Sequence, residues 1–166
     1  MDISIHTIFG TNRLETHQKE RHASRGIIVQ GQNILMAKEM HSGHLMIPGG
    51  GMEKDESPEN CCLRELEEET GLLVQIKQLL CTVHEFYTDY KYISYYFLCC
   101  IIGDGTKHLT SLESERGLAA VWMPIQEAVA TFEKHLNLPD STEEVRGVCQ
   151  RELTALYHFL NIRETL

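Results

Sequence analysis

Glu65, Glu68 and Glu69 are spaced so that a helix would turn all three carboxylates to one face, because side chains three and four positions apart are neighbours roughly 5–6 Å apart at Cβ. Like charges at that spacing weaken a helix by roughly 0.2–0.5 kcal/mol per pair, so the cluster does nothing for folding. What convergent carboxylates do well is seat a hard divalent cation, which takes oxygen ligands, keeps several waters and shares its remaining positions with substrate phosphates. Pro48 and the glycines 49 to 51 precede the helix, and glycine lets backbone amides and carbonyls come close to an ion or a phosphate. Arg64 stands four residues before Glu68, where it can brace the carboxylates from the side. A solvated acidic surface is the plainer reading of such a charge run, and the glycine turn in front of it favours the cation seat.

The whole composition leans the same way. The chain of 166 residues carries 15 Lys and Arg against 24 Asp and Glu, a formal charge of -9. That excess speaks against a general DNA or RNA binder, which needs a basic face. It also repels any phosphate compound, unless bound cations reverse the local field. The chemistry indicated is metal-assisted attack of water on a phosphoanhydride, where cations neutralise the oxygens and lower the pKa of water. Other routes lack their motifs: there is no G-x-S-x-G, no G-K-[ST] after the glycines, and His84-Glu85 lacks the second His of H-E-x-x-H. His41 and His44 lie in a loop with no other His near in sequence, and magnesium prefers oxygen. Cysteines at 61, 62, 81, 99, 100 and 149 show no C-x-x-C spacing and read as free thiols of a reducing compartment. No run of eighteen apolar residues occurs and the start lacks a signal-like core, so a cytoplasmic protein without membrane association is expected.

The elements that must position the acidic cluster are legible around it. Length and a 42% hydrophobic content fit one domain over residues 1–166. Ser57 as N-cap, Pro58 at the first position and Gly71 as the stop predict the acidic helix, with Cys62, Leu63 and Leu66 as its buried edge. Strands are predicted at Ile3 to Phe9, at Gly26 to Gln30 and Ile34 to Lys38 as a hairpin, at Leu73 to Tyr87, Lys91 to Ile102 and Gly117 to Met123. Thr11 to Arg21 reads as a connection and Gly103 to Arg116 as a polar loop. Helices are predicted at Ile125 to Phe132 and from a capping box of Ser141 and Glu144 through to Asn161. Mixed strands and helices with antiparallel hairpins give a sheet core flanked by helices.

Gly50 to Leu72 resembles the Nudix box, G-x5-E-x7-R-E-U-x-E-E-x-G-U with U aliphatic; Gly50, Glu56, Arg64, Glu65, Leu66, Glu68, Glu69, Gly71 and Leu72 meet every fixed position. The resemblance implies an α/β/α sandwich with a mixed sheet, and Mg2+- or Mn2+-dependent hydrolysis of a nucleoside diphosphate linked to another group. By this analogy Glu68 and Glu69 bind metal, Glu65 ligates metal or acts as base toward water, and the Gly49 carbonyl is a further ligand. Arg64 and Glu56 become a supporting ion pair. Family members often add an acidic ligand from the loop before a late strand, here Glu115 with Glu113 second. Lys38 and Arg25 are candidates for substrate phosphates, and Phe86 or Tyr87 for stacking on a base. Tyr90 resembles the tyrosine of dinucleoside polyphosphate hydrolases. The proline that many ADP-ribose hydrolases carry past the box is absent, with Tyr87 and Thr88 in its place. The substrate class therefore stays open among nucleoside triphosphates, ADP-ribose, sugar nucleotides and dinucleoside polyphosphates. Family members are often homodimers, and no stretch here marks an interface. The rival reading is a Nudix-shaped ligand-binding or regulatory module without turnover; the retained carboxylates favour the enzyme.

Overall fold

Successive residues of a strand point to opposite faces, so a strand covered on both sides reads as a continuous apolar run. Ile27-Ile28, Ile34-Leu35-Met36 and Tyr96-Phe97 are such runs, all buried. The computed structural model describes residues 4–10, 19–88 and 90–163. Its strands are β1 (Ser4–Phe9), β2 (Lys19–Gln30), β3 (Asn33–Glu39), β4 (Leu45–Met46), β5 (Gly49–Gly51), β6 (Leu72–Phe86), β7 (Tyr90–Asp104) and β8 (Leu118–Pro124). The helices are α1 (Pro58–Thr70), α2 (Ser111–Arg116), α3 (Ile125–Leu136) and α4 (Glu143–Arg163).

The sheet runs in the order β1-β6-β7-β2-β3-β4, with β5 on β2 and β8 on β3. The β1–β6 and β2–β7 pairs are parallel and the β6–β7 and β3–β8 pairs antiparallel, the mixed sheet expected. On one face α1 packs Cys62 and Leu66 over Ile28, Leu35, Phe97 and Cys99. On the other, Phe132 of α3 and Leu153, Leu156 and Phe159 of α4 cover Ile27, Ile34, Met36 and Tyr96. The result is a sheet between two helical layers. All six cysteines are free thiols.

Helix α1 has the predicted ends: Ser57 Oγ accepts from the Asn60 amide at 3.2 Å, and Gly71 takes the left-handed conformation at φ 72°. Leu63, expected on the buried edge of α1, is exposed, and Cys61 is buried in its stead; three further expectations change. Strand β2 starts at Lys19, inside the stretch read as a connection, because Lys19 to Arg25 lie in parallel register with Tyr90 to Tyr96 and their charges mask a strand pattern. The loop expected at Gly103 to Arg116 contains α2, capped by Thr110: its Oγ1 accepts from the Glu113 amide at 3.3 Å while Glu113 Oε2 accepts from the Thr110 amide at 2.7 Å. Finally α4 is capped by Thr142, whose Oγ1 accepts from the Val145 amide at 3.3 Å, one residue after the Ser141 predicted. Ile3, the connection over 11–18 and Asp89 lie outside the described residues.

The first turns of α4 dock on the sheet through one aromatic ring. A Cβ at Gly147 would stand 2.0 Å from the Tyr87 hydroxyl, and one at Gly10 2.6 Å from Tyr87 Cδ1. Tyr87 fills a notch that exists because both positions lack a side chain. Gly147→Ala is expected to destabilise the protein by about 1–3 kcal/mol in urea unfolding through overpacking, although alanine is the better helix former. Adding Tyr87→Phe, which removes the clashing oxygen, is expected to recover part of that loss.

Candidate active site

Helix α1 meets the sheet at the glycine strand β5, which pairs antiparallel with Ala23 to Arg25 of β2. A Cβ at Gly49, where φ is 141°, would lie 2.1 Å from the Ser24 carbonyl oxygen, and one at Gly50 would lie 2.4 Å from Glu65 Oε2. No side chain fits at either position, and the backbone lies flush against the α1 carboxylates.

Arg64 is the hub. Its Nε and Nη2 donate to the two oxygens of Glu56 at 2.8 and 2.9 Å, and its Nη1 donates to Glu65 at 2.8 Å and to Glu68 at 3.0 Å. Nη2 also reaches the Gly51 carbonyl at 3.2 Å, so one planar fork ties the glycine strand to the acidic helix. Glu69 Oε2 accepts the Gly49 amide at 2.8 Å. The Arg64 hydrogen bonds hold Glu56 down at about 2. Burial pushes Glu65 up despite Arg64, and pushes Glu69 up to about 8 despite the Gly49 amide. For both side chains the cost of burying the charge outweighs the guanidinium beside it, Arg64 for Glu65 and Arg25 for Glu69.

Among the described residues no three carboxylate, imidazole or thiol groups stand together at coordination distance; the carboxylates are held by Arg64 and by backbone. The donor set still suits a hard divalent cation. Glu65, Glu68 and Glu69 offer only oxygen, and the neighbouring Cys61 thiol is pushed up to about 11 by burial, so it does not offer a thiolate. The Gly49 carbonyl faces Arg25 Nη1 at 3.3 Å. The loop that leads to α2 is strapped to the end of α1: Glu67 Oε1 accepts the Thr106 amide at 3.1 Å and the Glu68 carbonyl accepts the His108 amide at 2.9 Å. Of the two loop carboxylates, half-buried Glu113 is the one whose charge acts on both Glu65 and Glu69, whereas Glu115 is exposed on α2.

Gly50 and Gly51 also line a cavity of about 590 Å³. Arg21 and Arg25 enter it from β2, Tyr90 and Tyr92 from β7, and Glu143 and Arg151 from α4. At its base lies a buried network of four charges. Arg151 donates from Nη1 to Glu85 at 3.2 Å and from Nη2 to Glu152 at 3.0 Å, and Arg25 Nε stands 3.6 Å from Glu152. Glu152 Oε2 further accepts the Ile47 amide at 3.1 Å, and Tyr96 donates to its other oxygen at 3.3 Å. Burial opposes the charge of Arg151, but Tyr96, Glu152 and Glu85 together hold its pKa well up.

Of the expected substrate residues, Arg25, Tyr87 and Tyr90 line this cavity and Lys38 does not. Lys38 lies on β3 between Leu45 of β4 and Ala119 of β8. The hydroxyl of Tyr87 donates to Glu85 at 2.8 Å and its ring is wedged between Gly10 and Gly147, so it positions α4 and does not offer a free face. Tyr90 stacks on Tyr92 with centroids 5.7 Å apart, and Phe86 is buried against Phe9 at 5.3 Å. Sequence reasoning missed Arg21, Tyr92 and Arg151. The one available signal was Arg151 itself, a charge on the apolar face of α4 three residues after Val148.

A mixed sheet between helices, with a glutamate helix braced by arginine beside a cavity of arginine and tyrosine, defines a class of phosphate-handling α/β proteins. The chain belongs to the Nudix family: the NUDIX domain profile matches residues 20–153. It is 29% identical over 104 residues to mouse diphosphoinositol polyphosphate phosphohydrolase 3-alpha, covering 61% of this chain and 60% of that protein. It is 33% identical over 87 residues to the 8-oxo-dGTP diphosphatase of Proteus vulgaris, covering 49% and 78%. A solved NUDIX hydrolase from Nitrosomonas europaea shares the fold at a TM-score of 0.59 and 24% identity, covering 82% and 90%. The chain spans 60% of the length of the mouse relative. Nudix hydrolases act on phosphoanhydride bonds and are generally dependent on divalent metal.

The raised Glu69 has a consequence for stability. Its folded value, about 8, lies above the ordinary 4.5, so between those values the folded chain keeps a proton that the unfolded chain releases. Stability of the metal-free protein should therefore decline from about pH 5 to about pH 8 and level off beyond. Urea unfolding in chelator is expected to show that decline, and Glu69→Gln to flatten it.

Proposed function

We propose that residues 1–166 form one Nudix hydrolase domain that cleaves the diphosphate linkage of a nucleoside diphosphate derivative with Mg2+ or Mn2+, and that it works in the cytoplasm. No helix among the described residues is long and apolar enough to cross a membrane. The observation that carries the proposal is the Arg64 fork, which holds Glu56, Glu65 and Glu68 beside buried Glu69, at the glycine strand that opens onto the arginine- and tyrosine-lined cavity.

In this reading Glu68 and Glu69, with Glu65 and a loop carboxylate, Glu113 ahead of Glu115, hold the cation. When bound, the cation supplies charge to the diphosphate oxygens and acidity to water. Glu65, its proton affinity raised by burial, accepts the proton of the attacking water. The water oxygen attacks one phosphorus, the bridging P–O bond breaks, and two phosphate monoesters leave. Arg64 is a positioning residue that fixes the rotamers of Glu65 and Glu68. Arg21, exposed on the cavity lining, meets the phosphates, Arg25, held by Glu152 and the Ile47 and Gly49 carbonyls, orients the strand that carries it, and the stacked Tyr90 and Tyr92 offer an aromatic surface to a base.

Product release measured over nucleoside triphosphates, sugar nucleotides and dinucleoside polyphosphates, with calorimetric Mg2+ and Mn2+ uptake, tests the proposal. Chelation or the Glu68→Ala, Glu69→Ala pair is expected to abolish turnover; a fully active double variant sinks it. Arg64→Lys, which keeps the charge and loses the fork, is expected to lower metal affinity about 10- to 100-fold. Tight nucleotide binding without product in excess metal would instead identify a binding module.

A further inference from the structure

A pair of imidazoles at the margin of the sheet belongs neither to the acidic cluster nor to the cavity. Strand β1 stands at the end of the sheet order, in parallel register with β6. Alternate residues of a strand share a face, so His6 points to the same side as Ile8, which lies in the core with Leu156 and Phe159 of α4. His158 falls between those two along the helix. The fold thus brings together two rings 152 residues apart in sequence, with His6 Nε2 3.3 Å from His158 Nδ1. The ring centres are 5.1 Å apart and the planes cross at 73°. Both side chains are half-buried.

For packing alone an imidazole is a poor choice here, because burying its polar atoms costs what an apolar ring would not. The spacing matches a different purpose. Two imidazoles radiating from a tetrahedral zinc at roughly 2.0–2.1 Å hold their ligating nitrogens about 3.3–3.4 Å apart and their ring centres about 5.2 Å apart. A hydrogen bond from a nitrogen donor is usually shorter, about 2.9–3.0 Å, and neighbouring nitrogens on a square-planar copper are also closer, about 2.8–2.9 Å. Burial, and after it the adjacent His158, hold the pKa of His6 below the usual histidine range. The ring is therefore neutral near pH 7, the form that offers a lone pair to a metal.

We infer that His6 and His158 form a second metal site, a two-imidazole seat for Zn2+ that clamps the edge strand β1 to α4. Waters complete the tetrahedron. On binding, both nitrogens of the pair give their lone pairs to the cation, and the ring that carried its proton there carries it on its other nitrogen instead. The site is separate from the acidic cluster in place and in chemistry. Neither histidine lines the cavity, and His158 lies seven residues beyond Arg151, about 10 Å further along α4. Imidazole suits zinc, whereas Mg2+ demands oxygen, so the two sites fill with different ions.

The test is calorimetric titration of the full chain with Zn2+ in excess Mg2+, alongside nitrogen NMR spectra of the histidine rings. Wild type is expected to take up Zn2+ at a site that Mg2+ does not displace, with the ring signals of His6 and His158 shifting together. The Glu68→Ala, Glu69→Ala pair, which empties the acidic cluster of two carboxylates, is expected to keep this site. His6→Gln or His158→Gln alone is expected to weaken Zn2+ binding there about tenfold or more, and the two together to abolish it. Zn2+ should also raise the thermal midpoint of wild type and not that of the His6→Gln, His158→Gln chain. Undiminished uptake by that chain overturns the inference. So does wild-type uptake that leaves the ring signals of His6 and His158 in place, a reading that needs no variant to fold, or the absence of any Zn2+ uptake in Mg2+.

Discussion

One guanidinium holds the acidic helix and the glycine strand together. Carboxylates at helical spacing repel each other, and two of the three on α1 are buried besides. Without a counter-charge they would spread, turn to solvent or melt the helix locally. Arg64 prevents this with a planar fork whose donors point to Glu56 on one side and to Glu65 and Glu68 on the other. A lysine has the charge but not the directions. Because the same group also reaches the Gly51 carbonyl, the acidic helix cannot move relative to the glycine strand without losing it.

The glycines complete that constraint from the other side. Glu65 lies where the side chain of residue 50 would be, and the Ser24 carbonyl where that of residue 49 would be. The strand thus approaches both the sheet and the helix more closely than any other residue type allows. Glu67, which points away from the cluster, is not idle: it receives the Thr106 amide and so anchors the loop that brings Glu113 near. Rigid backbone, a fixed fork and a strapped loop leave the protonation of Glu65 and Glu69, both shifted upward by burial, as the free variable of the cluster.

This half of the site was legible because it is contiguous. The N-cap, the glycine stop, the helical spacing of the glutamates and the placement of Arg64 are all local relations, read from a span of residues 49 to 72. The cavity was not legible, because its parts meet only through register. Arg21 and Arg25 become neighbours of Tyr92 and Tyr96 by the parallel pairing of β2 with β7, which no local pattern announces, and charged residues from Lys19 to Arg25 hid the very strand that carries them. Lys38 looked equivalent to Arg25 in sequence, yet β3 places it between β4 and β8. Tyr87 looked like a stacking platform, and two distant glycines made it a wedge instead. Thr110 and Glu113 did have capping-box spacing, so α2 was readable in principle and was hidden by the polarity around it.

The buried quartet of Arg25, Arg151, Glu85 and Glu152 poses a different question, since burying ion pairs is a poor way to gain stability. Apolar replacements of equal volume are often as stable or more so, while removal of a single partner typically costs about 3–5 kcal/mol. A set that is risky to disturb and unprofitable to keep for stability alone is explained by what it arranges. Here Arg151 brings α4, Glu85 brings β6, Arg25 brings β2, and Glu152 joins them to the backbone at Ile47. All three elements contribute residues to the cavity lining, and none is adjacent to another in sequence. Mutual neutralisation also limits how much of this charge a ligand can use: the quartet fixes the shape of the cavity, and Arg21, the exposed arginine of its lining, stands outside the quartet.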